Sequence, residues 1–176
     1  VTLTSAEIAE YQVDATMSGG NKASASKTGL IFTADSTTAN VSSLTADKDV
    51  DIVAGKDTVT LTALVLDGSN HPVPGMTVNW SSTETNSTFS ANSSVTDSDG
   101  KATVTFSSLK AGSIDVTGTL SLSTSKASKT LLVIGDVSTA TFSSVVPDVT
   151  EAVADGTAAI TWTATVWDAN KNLLKD

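Results

Sequence analysis

The feature that most constrains this chain is an internal repeat. Val59 to Asp67 reads V-T-L-T-A-L-V-L-D, and Ile160 to Asp168 reads I-T-W-T-A-T-V-W-D. The offset is about 101 residues. The preceding stretches match too: Val41-Ser42-Ser43-Leu44 against Phe142-Ser143-Ser144-Val145, then Asp47 against Asp148. The start of the chain matches its middle in the same way. Val1 to Ser5 aligns with Val104 to Ser108, and Tyr11 to Met17 with Ile114 to Leu120, with apolar residues on the same parity. A period of about 100 residues is too long for a solenoid unit and suits one sandwich domain per repeat. The expected division is 1–34 as the C-terminal part of one repeat, 35–135 as a complete repeat, and 136–176 as the N-terminal part of the next. Asp35 to Ala39 (D-S-T-T-A) and Asp136 to Ala140 (D-V-S-T-A) mark the junctions. They are short, so neighbouring repeats should sit close and bend little.

Within the complete copy the pattern is that of strands. Val59, Leu61, Ala63 and Val65 alternate with threonines and Leu64, and Met76, Val78 and Trp80 alternate with Thr77 and Asn79. Ala102, Val104 and Phe106 form a third set, Ile114, Val116, Gly118 and Leu120 a fourth, and Lys129 to Ile134 reads as a last strand. Period two puts each apolar set on one face, toward a facing sheet. Turn residues separate the sets. Asp67-Gly68-Ser69-Asn70 reads as a corner, and Pro72 and Pro74 restrict the approach to the next strand. Asp97-Ser98-Asp99-Gly100 reads as a type I turn with glycine at positive φ. No stretch keeps a three–four apolar spacing, so no long helix is expected. Ser81 to Ser94 is the least regular part and reads as short strands and loops. The fold class is therefore all-β, with one complete and two partial sandwiches in tandem.

At these residues the chain resembles a group 1 bacterial immunoglobulin-like domain. The resemblance rests on T-A-D-K at Thr45 to Lys48, A-G-K-D-T-V-T-L-T-A at Ala54 to Ala63, and P-V-P-G-M-T-V-N-W at Pro72 to Trp80. It continues through T-D-S-D-G-K-A-T-V-T-F at Thr96 to Phe106 and A-G-S-I-D-V-T at Ala111 to Thr117. It covers essentially the whole chain, counting the partial copies. Tandem arrays of this domain occur in the intimin and invasin family of outer-membrane adhesins, the inverse autotransporters. The resemblance implies an extracellular stalk on the bacterial cell surface, held to the outer membrane through a β-barrel elsewhere in the chain. In some members a lectin-like tip binds a host receptor. Neither barrel nor tip is visible here, and no receptor-binding residue can be carried over.

Composition closes off other classes. With no cysteine, disulfides, zinc ribbons and thiol nucleophiles are excluded. A Ser-His-Asp triad could be built only on His71, the sole histidine, and no Gly-x-Ser-x-Gly or phosphate-binding loop is present. His71, beside Pro72, reads as a surface-loop residue, and Glu84 and Glu151 are lone acids. The chain is read as no enzyme, with no catalytic, cofactor-binding or metal residue assigned. The net charge is −9 and all ten basic residues are lysines, which disfavours phosphate backbones and anionic membrane surfaces as partners. Apolar runs such as Leu131 to Ile134 are too short to cross a bilayer, so no direct membrane insertion by this segment is expected, nor is a signal peptide expected within it, since no charged stretch precedes an apolar one at its start.

Three sharper readings compete with plainer ones. Asp67, Asp97 and Asp99, or Asp47, Asp49 and Asp51, could supply oxygen ligands for calcium; aspartates that start turns explain the same residues. Trp80, Trp162 and Trp167 suggest carbohydrate stacking, but Trp80 shares parity with Met76 and Val78 and reads as core. Trp162 and Trp167 have opposite parity, so one of them should lie outside a core or at a strand end. Asn40, Asn79, Asn86 and Asn92 fit N-x-[ST], as chance allows where serine and threonine reach roughly thirty per cent. The expected role is a stalk or spacer that projects a host-binding tip, its partners being neighbouring repeats of the same chain. The alternative is a module that itself binds a host receptor, a matrix protein or a sister fibre, with Ser81 to Ser94 as its surface.

Overall fold

The alternating apolar sets become strands paired into four sheets. The computed structural model describes residues 1–19 and 23–174. In chain order the strands are β1 (Ala9–Thr16), β2 (Ser24–Phe32), β3 (Asn40–Ala46), β4 (Ile52–Val53), β5 (Val59–Leu66), β6 (Thr77–Ser82) and β7 (Ser87–Phe89). Then come β8 (Ser93–Val95), β9 (Lys101–Ser108), β10 (Gly112–Leu120), β11 (Lys126–Ile134), β12 (Thr141–Pro147) and β13 (Trp162–Trp167). Short 3-10 turns at Ser36–Thr38 and Val137–Thr139 sit between β2 and β3 and between β11 and β12.

The sheet β3-β5-β9-β7 faces the sheet β4-β11-β10-β6-β8. All pairings are antiparallel except β4 with β11, which run parallel. The core is what period two dictates. Val59, Leu61, Ala63 and Val65 of β5 are fully buried, as are Ala102 and Phe106 of β9 and Val78 of β6. Val116, Leu120, Leu131 and Val133 meet them from β10 and β11. Phe106 packs on Phe89 with ring centroids 5.2 Å apart. Trp80 lies in the core, and its indole N–H donates to Ser94 Oγ at 3.0 Å. The space for that ring is left by Gly118, where a Cβ would stand 3.1 Å from both Trp80 Cζ3 and Val78 Cγ1.

Ser81 to Ser94 is partly templated after all. It crosses between the sheets, with β7 pairing on β9 and β8 pairing on β6. It therefore forms an edge of each sheet rather than a free loop. The Asp97–Gly100 turn forms as expected: Asp97 Oδ1 accepts from the amides of Asp99 and Lys101 at 2.9 Å each, and Gly100 has φ +72°.

The repeat is structural as well as sequential. β1 and β2 form a hairpin equivalent to β10 and β11, and β12 and β13 pair as β3 and β5 do. A register shift between Val41 and Ser43 recurs between Phe142 and Ser144. This bulge explains why Val41 and Leu44, three residues apart, are both buried. Two expected strand stretches do not form. Val1 to Ser5, aligned with β9, is not a strand, and β13 begins at Trp162 rather than Ile160. In β9 those positions are held between β5 and β7; among the described residues no strand stands on either side of Val1 to Ser5. Among the described residues no sheet faces the outer hairpins, and Phe142 is 74% and Trp162 62% exposed. Trp162 stands at the strand end, outside a core, while Trp167 is half-buried.

Candidate functional site

The arrangements that recur are the two joints that flank the central sandwich, one between β2 and β3 and one between β11 and β12. At the first, the chain leaves β2 and enters the Ser36–Thr38 turn. Asp35 caps this turn, accepting from the Thr37 amide at 2.9 Å and the Thr37 hydroxyl at 2.6 Å. These bonds, the hydroxyl's first, hold its carboxyl below the ordinary value. Thr38 Oγ1 in turn accepts from the Gly68 amide at 3.0 Å. The hub is Asp67, buried at the end of β5. Its Oδ1 accepts from the amides of Ser69 at 2.8 Å and His71 at 2.9 Å, and its Oδ2 from the Asp35 amide at 3.0 Å. His71 Nδ1 lies 3.2 Å from Oδ2. The His71 amide, opposed by desolvation and joined by the Asp35 and Ser69 amides, brings the Asp67 pKa down to about 2.

The second joint repeats this arrangement bond for bond. Asp136 caps its turn through Ser138, and Thr139 Oγ1 accepts from the Ala169 amide at 3.0 Å. Asp168, buried, accepts from the amides of Asn170 at 2.9 Å, Asn172 at 2.7 Å and Asp136 at 3.1 Å. Burial pushes this carboxyl up; the Asn172 carboxamide and the three amides outweigh it, so it too sits below the ordinary value. The two loops share backbone shape, with Asn70 at φ +66° and Lys171 at φ +64°.

The loop residues themselves differ, Gly68-Ser69-Asn70-His71 against Ala169-Asn170-Lys171-Asn172, and the last of these changes adds contacts. Asn172 stands where the first joint has His71, and its carboxamide reaches across the joint. Its Oδ1 accepts from the Ala111 amide at 2.8 Å, and its Nδ2 donates to the Leu109 carbonyl at 2.9 Å and to Asp168 Oδ2 at 2.8 Å.

Elsewhere the candidates from the sequence do not converge. Asp47 accepts from the Thr60 amide at 2.8 Å, Asp49 pairs with Lys129 at 2.6 Å, and exposed Asp51 has φ +53°. Asp97 and Asp99 serve their own turn, and Asp67 serves the joint. Among the described residues no group of three or more acids or histidines is placed to hold a cation. Glu84 holds its own loop, accepting from the Asn86 amide at 2.9 Å, and Glu151 is exposed. His71 is not a plain surface-loop residue: it is part-buried in the first joint, against Asp67. The roles of Asp67, Asp168 and Asn172 in the joints escaped the sequence reading. The signal was present, since both aspartates end the best-matched segments of the repeat.

Sandwich, strand order and joints together define the class. The family model for the bacterial Ig-like domain (group 1) matches residues 41–134, more than half of the chain, and the chain belongs to that family. Among particular relatives, the inverse autotransporter adhesin YeeJ of Escherichia coli (strain K12) is 36% identical over 149 residues. That alignment takes in 81% of this chain but 6% of the length of that protein. Of solved structures, invasin, titled a bacterial integrin-binding protein, aligns over 96% of this chain and 34% of its own, with TM-score 0.61 and 20% identity. InvD of Yersinia pseudotuberculosis aligns over 96% of this chain and 62% of its own, with TM-score 0.57 and 12% identity. At those identities the likeness is one of fold.

Proposed function

We propose that this chain is a stalk segment of a bacterial surface adhesin of the intimin and invasin type, with no catalytic role. Residues 35–135 are read as one complete repeat, 1–34 as the end of the preceding one and 136–176 as the start of the next. The observation that carries this reading is the joint itself. Two buried aspartates, at the same place in successive copies, each tie the end of one strand to the capping residue that opens its own sandwich. A stalk of repeated domains is expected to rebuild the same boundary in each copy, and these two boundaries are built alike. The similarity to an inverse autotransporter adhesin supports a place at the bacterial surface, anchored through another part of the protein.

The test is to offer a purified array of these repeats, without barrel or tip, to host cells and immobilised matrix proteins. A spacer gives no saturable binding. Saturable binding lost on replacing exposed Thr85, Thr88 and Asn92 with alanine would make the segment adhesive and defeat the spacer reading. Point changes are required because removing Ser81 to Ser94 would strip an edge from both sheets.

A further inference from the structure

We propose that the side chain in the loop after β5 and after β13 sets the stiffness of each joint: Asn172 clamps the second joint, whereas His71 leaves the first compliant. This deepens the spacer reading and rests on it. Three hydrogen bonds among the described residues cross the second joint between the body of the central sandwich and the loop after β13. They are Ala111 N–H to Asn172 Oδ1, Asn172 Nδ2 to the Leu109 carbonyl, and the longer Asn170 Nδ2 to the Ala54 carbonyl at 3.5 Å. The first two give one planar carboxamide a donor and an acceptor on the same partner loop, which fixes orientation as well as distance.

At the first joint the equivalent partners exist, since Ala6 and Ile8 align with Leu109 and Ala111. His71 lines one open cleft with Ser5 to Ile8. Yet among the described residues no hydrogen bond links residues 1–32 to the loop after β5 or to the body of the central sandwich. The imidazole explains this. Its Nδ1 faces the Asp67 carboxylate, as the Asn172 amide nitrogen faces Asp168. A single ring nitrogen then remains, and it cannot both accept from an amide and donate to a carbonyl.

Packing points the same way. At Gly135 a Cβ would lie 2.5 Å from Leu174 Cδ2, so this side chain seats itself against bare backbone. The first joint has Ala34 and the shorter Val73 at these places; both joints are flanked by open grooves, of about 360 Å³ at the first and about 290 Å³ at the second, so the difference lies in this one close fit.

Because the chain has no cysteine, pairs of spin labels can be placed cleanly in the full chain. Thr28→Cys with Thr103→Cys spans the first joint, and Thr103→Cys with Thr163→Cys spans the second. The expected result is a narrower distance distribution across the second joint. Asn172→Ala should broaden it and raise exchange of the Ala111 amide about tenfold, as the loss of its acceptor requires. Asn172→His should do the same without endangering the fold, because this loop already carries histidine at the first joint. His71→Asn should narrow the first joint. Equal widths at the two joints would overturn the inference, as would an Asn172→His chain with unchanged width and unchanged Ala111 exchange. Receptor binding by the repeats would defeat the spacer reading alone and leave these widths as they are.

Discussion

Replacing Thr96 with valine tests whether a buried hydroxyl, rather than a buried methyl, holds the segment after the first joint. Thr96 is 4% exposed. Its Oγ1 donates to the Val73 carbonyl at 2.7 Å and accepts from the Met76 amide at 2.8 Å. Its own backbone pairs with the same segment, through its amide to Met76 and its carbonyl to the Gly75 amide, both at 2.9 Å. Thr96 thus binds residues 73–76, which continue the His71 loop, onto the sandwich. Valine has the same shape, so no cavity opens. What it leaves is a buried carbonyl and a part-buried amide without partners, at about 1–3 kcal/mol for each group. The added apolar contact returns about 1 kcal/mol. The net loss is then about 1–5 kcal/mol, centred near 3. With a urea m-value of about 1 kcal/mol/M for a domain of this size, the midpoint falls by about 3 M at the centre of that range. Trp80 fluorescence reports the transition in a Trp162→Phe, Trp167→Phe background. Thr96→Ser keeps both bonds and gives up one methyl, a loss of about 1 kcal/mol. The expected order is therefore wild type, then serine, then valine, the reverse of what apolar content alone dictates. A valine variant as stable as the serine variant would refute the reasoning.

The contribution of Asp67 to the first joint should be lost only in strong acid. Asp67 is held at about 2 against an ordinary 3.8, so its contribution to folding is complete above pH 4. It fades as pH falls through about 2, where protonation in the native state removes the advantage. The Asp35 amide, followed by NMR, should keep its hydrogen-bonded shift at pH 4 and lose it near 2; loss already at pH 4 would contradict this. Gly118→Val should crowd Trp80 and Val78, whose atoms stand 3.1 Å from the new Cβ. A loss of about 1–3 kcal/mol is expected from overpacking, with a shifted Trp80 emission, and an unchanged melting temperature would be the contrary result.

The strands of the central sandwich were legible because period two leaves little choice. Val59 to Val65 and Ala102 to Phe106 show fully buried residues alternating with exposed or half-buried ones, and a one-residue slip would turn either buried set outward. The match of Tyr11 to Met17 with Ile114 to Leu120 likewise foretold that β1 and β10 are the same strand in two copies. The bulge after Val41 was not legible, since Val-Ser-Ser-Leu reads as plain alternation until a partner strand imposes the extra residue. Val1 to Ser5 failed for the complementary reason: a strand-like sequence makes a strand only where a neighbour offers hydrogen bonds.

The joints divide in the same way. D-S-T-T-A and D-V-S-T-A announce capping aspartates by local chemistry, because an Asp followed by hydroxyl residues bonds its own next amides. That sequence information was enough for Asp35 and Asp136. Asp67 reads locally as a turn residue, and it is one, through Ser69 and His71. Its bond to Asp35 spans 32 residues of sequence, and no local rule contains that distance. Asn172 lies further still from its partners, 61 residues from Ala111 and 63 from Leu109. Local sequence therefore determined strands, turns, caps and the repeat that orders them, since neighbours along the chain fix backbone geometry and burial parity. Only the tertiary structure decided that Asp67 and Asp168 would each anchor a distant cap and that the Asn172 carboxamide would reach back to Leu109 and Ala111, because these partners become neighbours only once the strands have packed.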